Sequence, residues 1–202
     1  MITYTKTPSK DSMILSANPT TNYGTYTRME VVTLTGSAET IAWRGIIGFD
    51  LTDLKASSPS ILTATLGLYY YAKGVNYTTT QTLYAAKVTR TNWTEAGVTW
   101  NKYDGVNDWT AGGGDRVTSN PAVGAALVDT SVGKWINIDV KAIVVDAIDN
   151  VSDLLNMLLY RNTGIANNDG IMFYSRDYTT NTTLIPKLTI TYSSGSLFFA
   201  QY

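Results

Sequence analysis

Any chemistry in this chain falls to carboxylates, phenols and indoles, because its 202 residues include no cysteine and no histidine. That removes thiolate nucleophiles, disulfides, thiolate and imidazole metal sites, and the commonest general base. The most suggestive carboxylates are Asp104, Asp108 and Asp115, which flank the glycines at 112–114 in a Gly-, Asp-, Asn- and Thr-rich loop over 101–121. Oxygen donors of this kind suit a hard cation, so Ca2+ is the ion they could take. Their spacing is not that of an EF-hand, and a solvated acidic loop is the alternative. No cofactor is otherwise called for. A glycosidase pair can be drawn among the 16 acids, but no hydrolase motif accompanies it, and the expectation is a protein that is not an enzyme.

The other chemistry on offer is stacking on sugar rings. In Leu62–Ala72, one face holds Leu62, Ala64, Leu66, Leu68 and Tyr70, and the other holds Thr63, Thr65, Gly67, Tyr69 and Tyr71. This period of two marks a half-buried strand. Tyr69 and Tyr71 lie on the face opposite the leucines, where planar rings can stack on a glycan and neighbouring Lys73 can meet a uronic carboxylate. The same face can equally be solvated or lie under a neighbouring subunit. Tyr103 and Trp109, in the long loop, are further candidates for sugar contact, and Trp43, just before a strand, a lesser one.

A third group reads as structural. In Arg90-Thr-Asn-Trp93-Thr-Glu95-Ala-Gly-Val-Thr-Trp100-Asn101, two tryptophans seven positions apart enclose a Thr-Glu-x-Gly-Val-Thr core. The segment is too polar and glycine-interrupted for a helix face. It predicts a loop pinned to a β-scaffold by Trp93 and Trp100, with Glu95 hydrogen-bonded to loop backbone. Arg44, Asp50 and Arg176 read as polar contacts at strand ends.

The scaffold that must hold these residues is legible from the same periodicity. Besides Leu62–Ala72, strands are expected at Ser12–Ser16, Met29–Leu34, Arg44–Leu51, Thr82–Arg90, Trp135–Val140, Leu154–Tyr160, Gly170–Ser175 and Lys187–Tyr192, separated by Gly-, Asn- and Pro-containing turns. Val140, Ile143, Val144, Ala147 and Ile148 recur at helical spacing between an Asp139 N-cap and Asn150, which predicts one short amphipathic helix. The expected architecture is all-β: an antiparallel jelly-roll β-sandwich with one short helix. It spans residues 1–192 as one domain, followed by a flexible linker and an aromatic tail over 193–202. In that tail Leu197, Phe198, Phe199 and Tyr202 either fold back on the sandwich or dock into a partner.

Fifteen basic and 16 acidic residues give a net charge of −1, with no clustering of the kind that nucleic acid or an anionic membrane requires, so neither is an expected partner. Met1–Leu15 lacks the apolar run of a signal peptide, so the expectation is synthesis and folding in a cytoplasm, or export by a route the sequence does not show.

With the strands placed, the chain resembles the DNRLRE domains (disaggregatase-related repeats), whose relatives include an alginate-binding carbohydrate-binding module family. The resemblance runs through Asp11-Ser-Met-Ile-Leu15, the Asn-Tyr-Gly turn of Asn18-Pro-Thr-Thr-Asn-Tyr-Gly24, Arg44-Gly-Ile-Ile-Gly-Phe-Asp-Leu51, and Ala64-Thr-Leu-Gly-Leu-Tyr69. It continues through Trp93-Thr-Glu-Ala-Gly-Val-Thr-Trp-Asn101, Trp135-Ile-Asn-Ile-Asp-Val140, Tyr174-Ser-Arg-Asp177 and Pro186-Lys-Leu-Thr-Ile-Thr-Tyr192. It implies a β-sandwich without catalytic machinery, and the loop Tyr103–Asp115 looks like versions found in phage-derived members. From this follows the expected function: a non-catalytic surface protein of a tailed-phage virion, as capsid decoration or fibre component. It would bind other virion proteins or copies of itself, with attachment to a host-surface glycan as a compatible role. The alternative is a free-standing carbohydrate-binding module recognising an acidic polysaccharide.

Overall fold

A computed structural model describes residues 1–34, 41–74, 80–128, 131–149, 154–161 and 170–194. The tail residues Leu197, Phe198, Phe199 and Tyr202, and Asn150, lie outside them. Eleven strands are present among the described residues: β1 (Ile2–Lys6), β2 (Lys10–Leu15), β3 (Arg28–Leu34), β4 (Ile41–Asp50), β5 (Pro59–Lys73), β6 (Gln81–Lys87), β7 (Ala122–Leu127), β8 (Lys134–Asp139), β9 (Leu154–Tyr160), β10 (Ile171–Tyr174) and β11 (Lys187–Ser194). The alternation read in the Leu62–Ala72 segment governs β5, where Ala64, Leu66, Leu68 and Tyr70 are buried while Tyr69 and Tyr71 are half-exposed.

The chain is all-β and antiparallel, but its strands do not stay in two separate sheets. Hydrogen bonding runs β5–β10–β3–β4–β9–β6–β7–β8 and returns to β5, closing an eight-stranded barrel. Closure depends on strands that divide their pairing. β3 gives Arg28–Val31 to β10 and Val32–Leu34 to β4, and β7 pairs along β6 while touching β8 at Gly124↔Ile138. Long β5 pairs with β11 along its first part and with β10 near its end. The expected jelly-roll sandwich is thus met in strand content and direction, whereas the two edges are joined. A period of two reports which face is buried and carries no signal about what a strand's edges do.

Two strands escaped the sequence reading. β1 is an edge strand with little burial to stamp a pattern on it. β7 reads Ala-Val-Gly-Ala-Ala-Leu, poor in β-formers. The expected helix is present as α2 (Lys141–Asp149), after a four-residue turn of helix, α1 (Thr52–Lys55). Asp139 Oδ1 accepts from the Lys141 N–H at 2.9 Å, and Ile143, Val144, Ala147 and Ile148 are buried against the barrel core. No helix among the described residues is long and apolar enough to cross a membrane.

The interior is filled by residues such as Phe49, Leu66, Leu68, Tyr70, Met157, Phe173 and Ile190, all fully buried. A second, smaller core lies outside the barrel, where the 90–118 segment folds over the outward side chains of β2, β4 and β9: Ile14, Ile46, Val88, Trp93, Val98, Tyr103, Trp109 and Leu158. The long loop over 101–121 contributes Tyr103 and Trp109 to this core.

Candidate functional site

The loop bearing Trp93 and Trp100 is held from several sides. Trp93 is 1% exposed, its indole N–H donates to Asn156 Oδ1 at 2.8 Å, and Lys10 Nζ sits 4.2 Å from its ring. Lys10 also donates to the carbonyls of Trp93 and Thr91, at 2.6 and 3.2 Å. Glu95 reaches beyond its own loop: Oε1 accepts from the Asp11 N–H at 2.8 Å and Oε2 pairs with Arg176 at 2.7 Å. Asn22 donates to the carbonyls of Glu95 and Val98, both at 2.7 Å. A Cβ at Gly24 would run into the Glu95 carbonyl, so the Asn-Tyr-Gly turn fits this loop only as glycine. Trp100 is half-buried beneath the Arg44 guanidinium, 4.8 Å from its ring.

Tyr103 and Trp109 belong to the same packed unit. They are 9% and 5% exposed and meet edge to face at 5.6 Å, with the Trp109 N–H on the Thr99 carbonyl at 3.0 Å. Their rings are largely spent on packing. Trp43 is half-buried beside Met13, Leu15 and Tyr23 in a third small cluster.

Tyr69 and Tyr71 do share an outward face, with Tyr174 of β10, Tyr178 and Trp135 of β8, which the sequence reading did not join to them. The rings stand like books on a shelf. Tyr174 is parallel to Tyr71 at 4.2 Å, to Tyr178 at 3.7 Å and to Tyr69 at 6.0 Å, and Trp135 abuts Tyr69 edge-on at 5.6 Å. Lys187 Nζ lies 4.0 Å from the Trp135 ring. The Tyr174–Tyr178 hydrogen bond, with burial added, pushes the Tyr174 phenol up to about 12. Lys73 ends β5, half-exposed. Tyr174, stacked on both Tyr71 and Tyr178, is the ring whose faces are covered within this group.

The other outward face carries cations. Arg116 lies 4.4 Å over the ring of Tyr160, which itself stacks on Tyr84 at 5.5 Å. Arg44 donates to the Gly113 carbonyl at 2.6 Å. Burial, and then the charge of Arg116, push the Arg44 guanidinium down to about 10. Among the described residues neither arginine is in an ion pair, and the buried Nε of Arg116 has no hydrogen-bond partner. Arg116 lines a cleft of about 510 Å³ together with Arg90, Thr89, Thr110, Asp115 and Thr118. Here Arg90 is neutralised by Asp115 at 3.3 Å. Sequence reasoning passed over Arg116 and Arg90, because a single arginine beside a glycine-rich loop has no spacing signal.

The three loop acids do not converge. Asp104 accepts from the N–H groups of Val106 and Asn107 at 2.9 and 2.7 Å, and Asp108 pairs with Lys102 at 3.0 Å. Asp115 accepts from the N–H groups of Thr110 and Ala111. Burial works to raise the Asp115 pKa, but the bonds from Thr110, Ala111 and Arg90 outweigh it and hold it below the usual range. Three other acids do meet: Asp11, Glu95 and Asp177.

An antiparallel barrel bearing a cation-lined cleft and a tyrosine-rich face, with its tryptophan loop committed to packing, defines a ligand-binding β-module. Residues 2–192 match the model of carbohydrate-binding module family 96, and the chain belongs to that family. A carbohydrate-binding module is typically non-catalytic, which is compatible with the expectation of no enzyme activity. Among curated proteins no match is found.

Proposed function

We propose that the chain binds an acidic polysaccharide, and that the ligand lies in the cleft beside Arg116 rather than across Tyr69, Tyr71 and Lys73. The observation that carries this is Arg116 at the wall of an open cleft, with no ion pair among the described residues and with the buried Arg44 guanidinium adding positive charge nearby. A guanidinium presents a rigid fork that matches a carboxylate in two hydrogen bonds, the recognition a uronic acid offers. Thr89, Thr110 and Thr118 add hydroxyls that both donate and accept, as sugar hydroxyls require.

The test is calorimetry and affinity electrophoresis with a soluble polyuronate and with a neutral glucan as control. Binding to the polyuronate is expected, weakening as salt is raised. Arg116→Ala should reduce affinity roughly tenfold or more, the size of a lost charge-assisted hydrogen bond, and Arg116→Lys should recover only part of it. Equal binding of the neutral polymer, or an unchanged Arg116→Ala protein, would overturn the cleft as the site. Loss of binding in Trp135→Ala alone would move the site to the tyrosine face, which the Trp135–Tyr69 contact and Lys187 would then explain. Display on a phage particle through Leu197, Phe198, Phe199 and Tyr202 rests on a segment outside the described residues, and no described contact favours it.

A further inference from the structure

We propose that Asp11, Glu95 and Asp177 form a binding site for a hard divalent cation of the calcium class, which ties together three segments distant in sequence. Asp11 is on β2, Glu95 is in the tryptophan loop, and Asp177 follows β10. One carboxylate oxygen from each lies within 4.8 Å of the others. Oxygens at that separation can share one ion, since calcium takes its ligands at about 2.3–2.6 Å.

Proximity of acids alone would not make a site. Here two carboxylate oxygens are buried with no hydrogen-bond partner among the described residues: Asp11 Oδ1, on a residue only 1% exposed, and Asp177 Oδ2. A buried orphan oxygen on a carboxylate is costly unless something electropositive meets it. The protein's own donors are already committed. Arg176 gives its backbone N–H to Asp11 Oδ2 and its guanidinium to Glu95 Oε2, both at 2.7 Å. Lys10, the other nearby cation, points its ammonium at the carbonyls of Thr91 and Trp93, and burial lowers its pKa to about 8. Three carboxylates against Arg176 and Lys10 still leave an excess of negative charge that a divalent ion would offset.

Burial foremost, with Glu95 and Asp177 contributing, pushes the Asp11 carboxyl up to about 8, although the Arg176 N–H opposes this. A metal would brace the Asn22–Gly24 turn and the tryptophan loop, both of which meet at Glu95. The inference is independent of glycan binding, and its test uses no glycan.

The experiment is thermal unfolding of the whole chain at about pH 7 after treatment with a chelator, then with Ca2+ or Mg2+ added back, alongside terbium luminescence excited through the tryptophans. Ca2+ well above its Kd should raise Tm by roughly 5–10 °C, the shift expected for saturation about a hundredfold over Kd in a domain of this size. Terbium emission should appear and be quenched by added Ca2+. Both responses should vanish in Asp177→Asn, which keeps the size and one oxygen of a half-buried side chain, and in Asp11→Asn. A wild-type protein indifferent to Ca2+ and dark with terbium would overturn the proposal. So would an Asp11→Asn protein that is more stable than wild type in chelator and in Ca2+ alike.

Discussion

The two outward faces of this barrel contain similar ingredients and use them in opposite ways. On the β5–β8–β10 side, four tyrosines and Trp135 gather within a few ångströms, with Tyr174 stacked on both Tyr71 and Tyr178 and the nearest cation over Trp135. On the β4–β9 side, the rings of the loop are buried and the cations Arg44 and Arg116 are in no ion pair among the described residues. A cluster of sugar-stacking residues in a sequence is therefore not by itself a sugar site. What decides is whether the groups are already satisfied by one another.

Replacing equivalent tryptophans sharpens the contrast most. Trp93→Ala removes the centre of the outer core and its bond to Asn156, and should cost about 3–5 kcal/mol of unfolding free energy. It should also loosen the cleft. Trp135→Ala, on a half-exposed ring, should cost about 1 kcal/mol. Urea unfolding of both checks the difference, and equal losses would mean that the loop face is no better packed than the tyrosine face.

A smaller effect concerns pH. Glu30 is buried beneath the tyrosine face, near Arg28 and Tyr71. Burial raises its carboxyl to about 7, against which Arg28 works. A carboxyl held above its unfolded value contributes stability that is complete below its ordinary pKa of 4.5 and lost as pH climbs through about 7. The urea midpoint of wild type should fall over that interval relative to Glu30→Gln. Asp11 is raised in the same sense, so the difference between the two proteins, not the wild-type curve alone, isolates Glu30. Parallel curves would mean that Glu30 does not titrate there.

The smallest expected effect is on the glycan itself. Lys187→Ala and Tyr71→Ala should each change polyuronate affinity less than about twofold, because the cleft lies elsewhere. A loss comparable to that of Arg116→Ala would erase the distinction between the faces.

Much of the scaffold was legible because burial on one face writes itself into alternation. Leu154–Tyr160 appears with the bounds its pattern gave, and most other strands differ by a few residues at their ends. Barrel closure was not legible, since it depends on β3 and β5 changing partners along their length. The tryptophan loop could be read as a loop because its polar spacing excludes a helix, but Glu95's partners, Asp11 and Arg176, are 84 and 81 residues away. Arg116 was invisible for the reason that makes it interesting: what marks it is that no acid among the described residues pairs with it, and a sequence does not record absences in space.

The division of β3 between two partners has a consequence for how many copies can share a small volume. Because the ring returns to β5, β1 and β2 are the described strands with a single partner strand. Both are short, and β1 is further guarded by the Lys6–Asp53 pair. Unpaired edges are where one chain recruits another into mixed sheets. Copies that are concentrated, strung in tandem or crowded along a polymer would therefore meet first, among the described strands, at the short edges of β1 and β2.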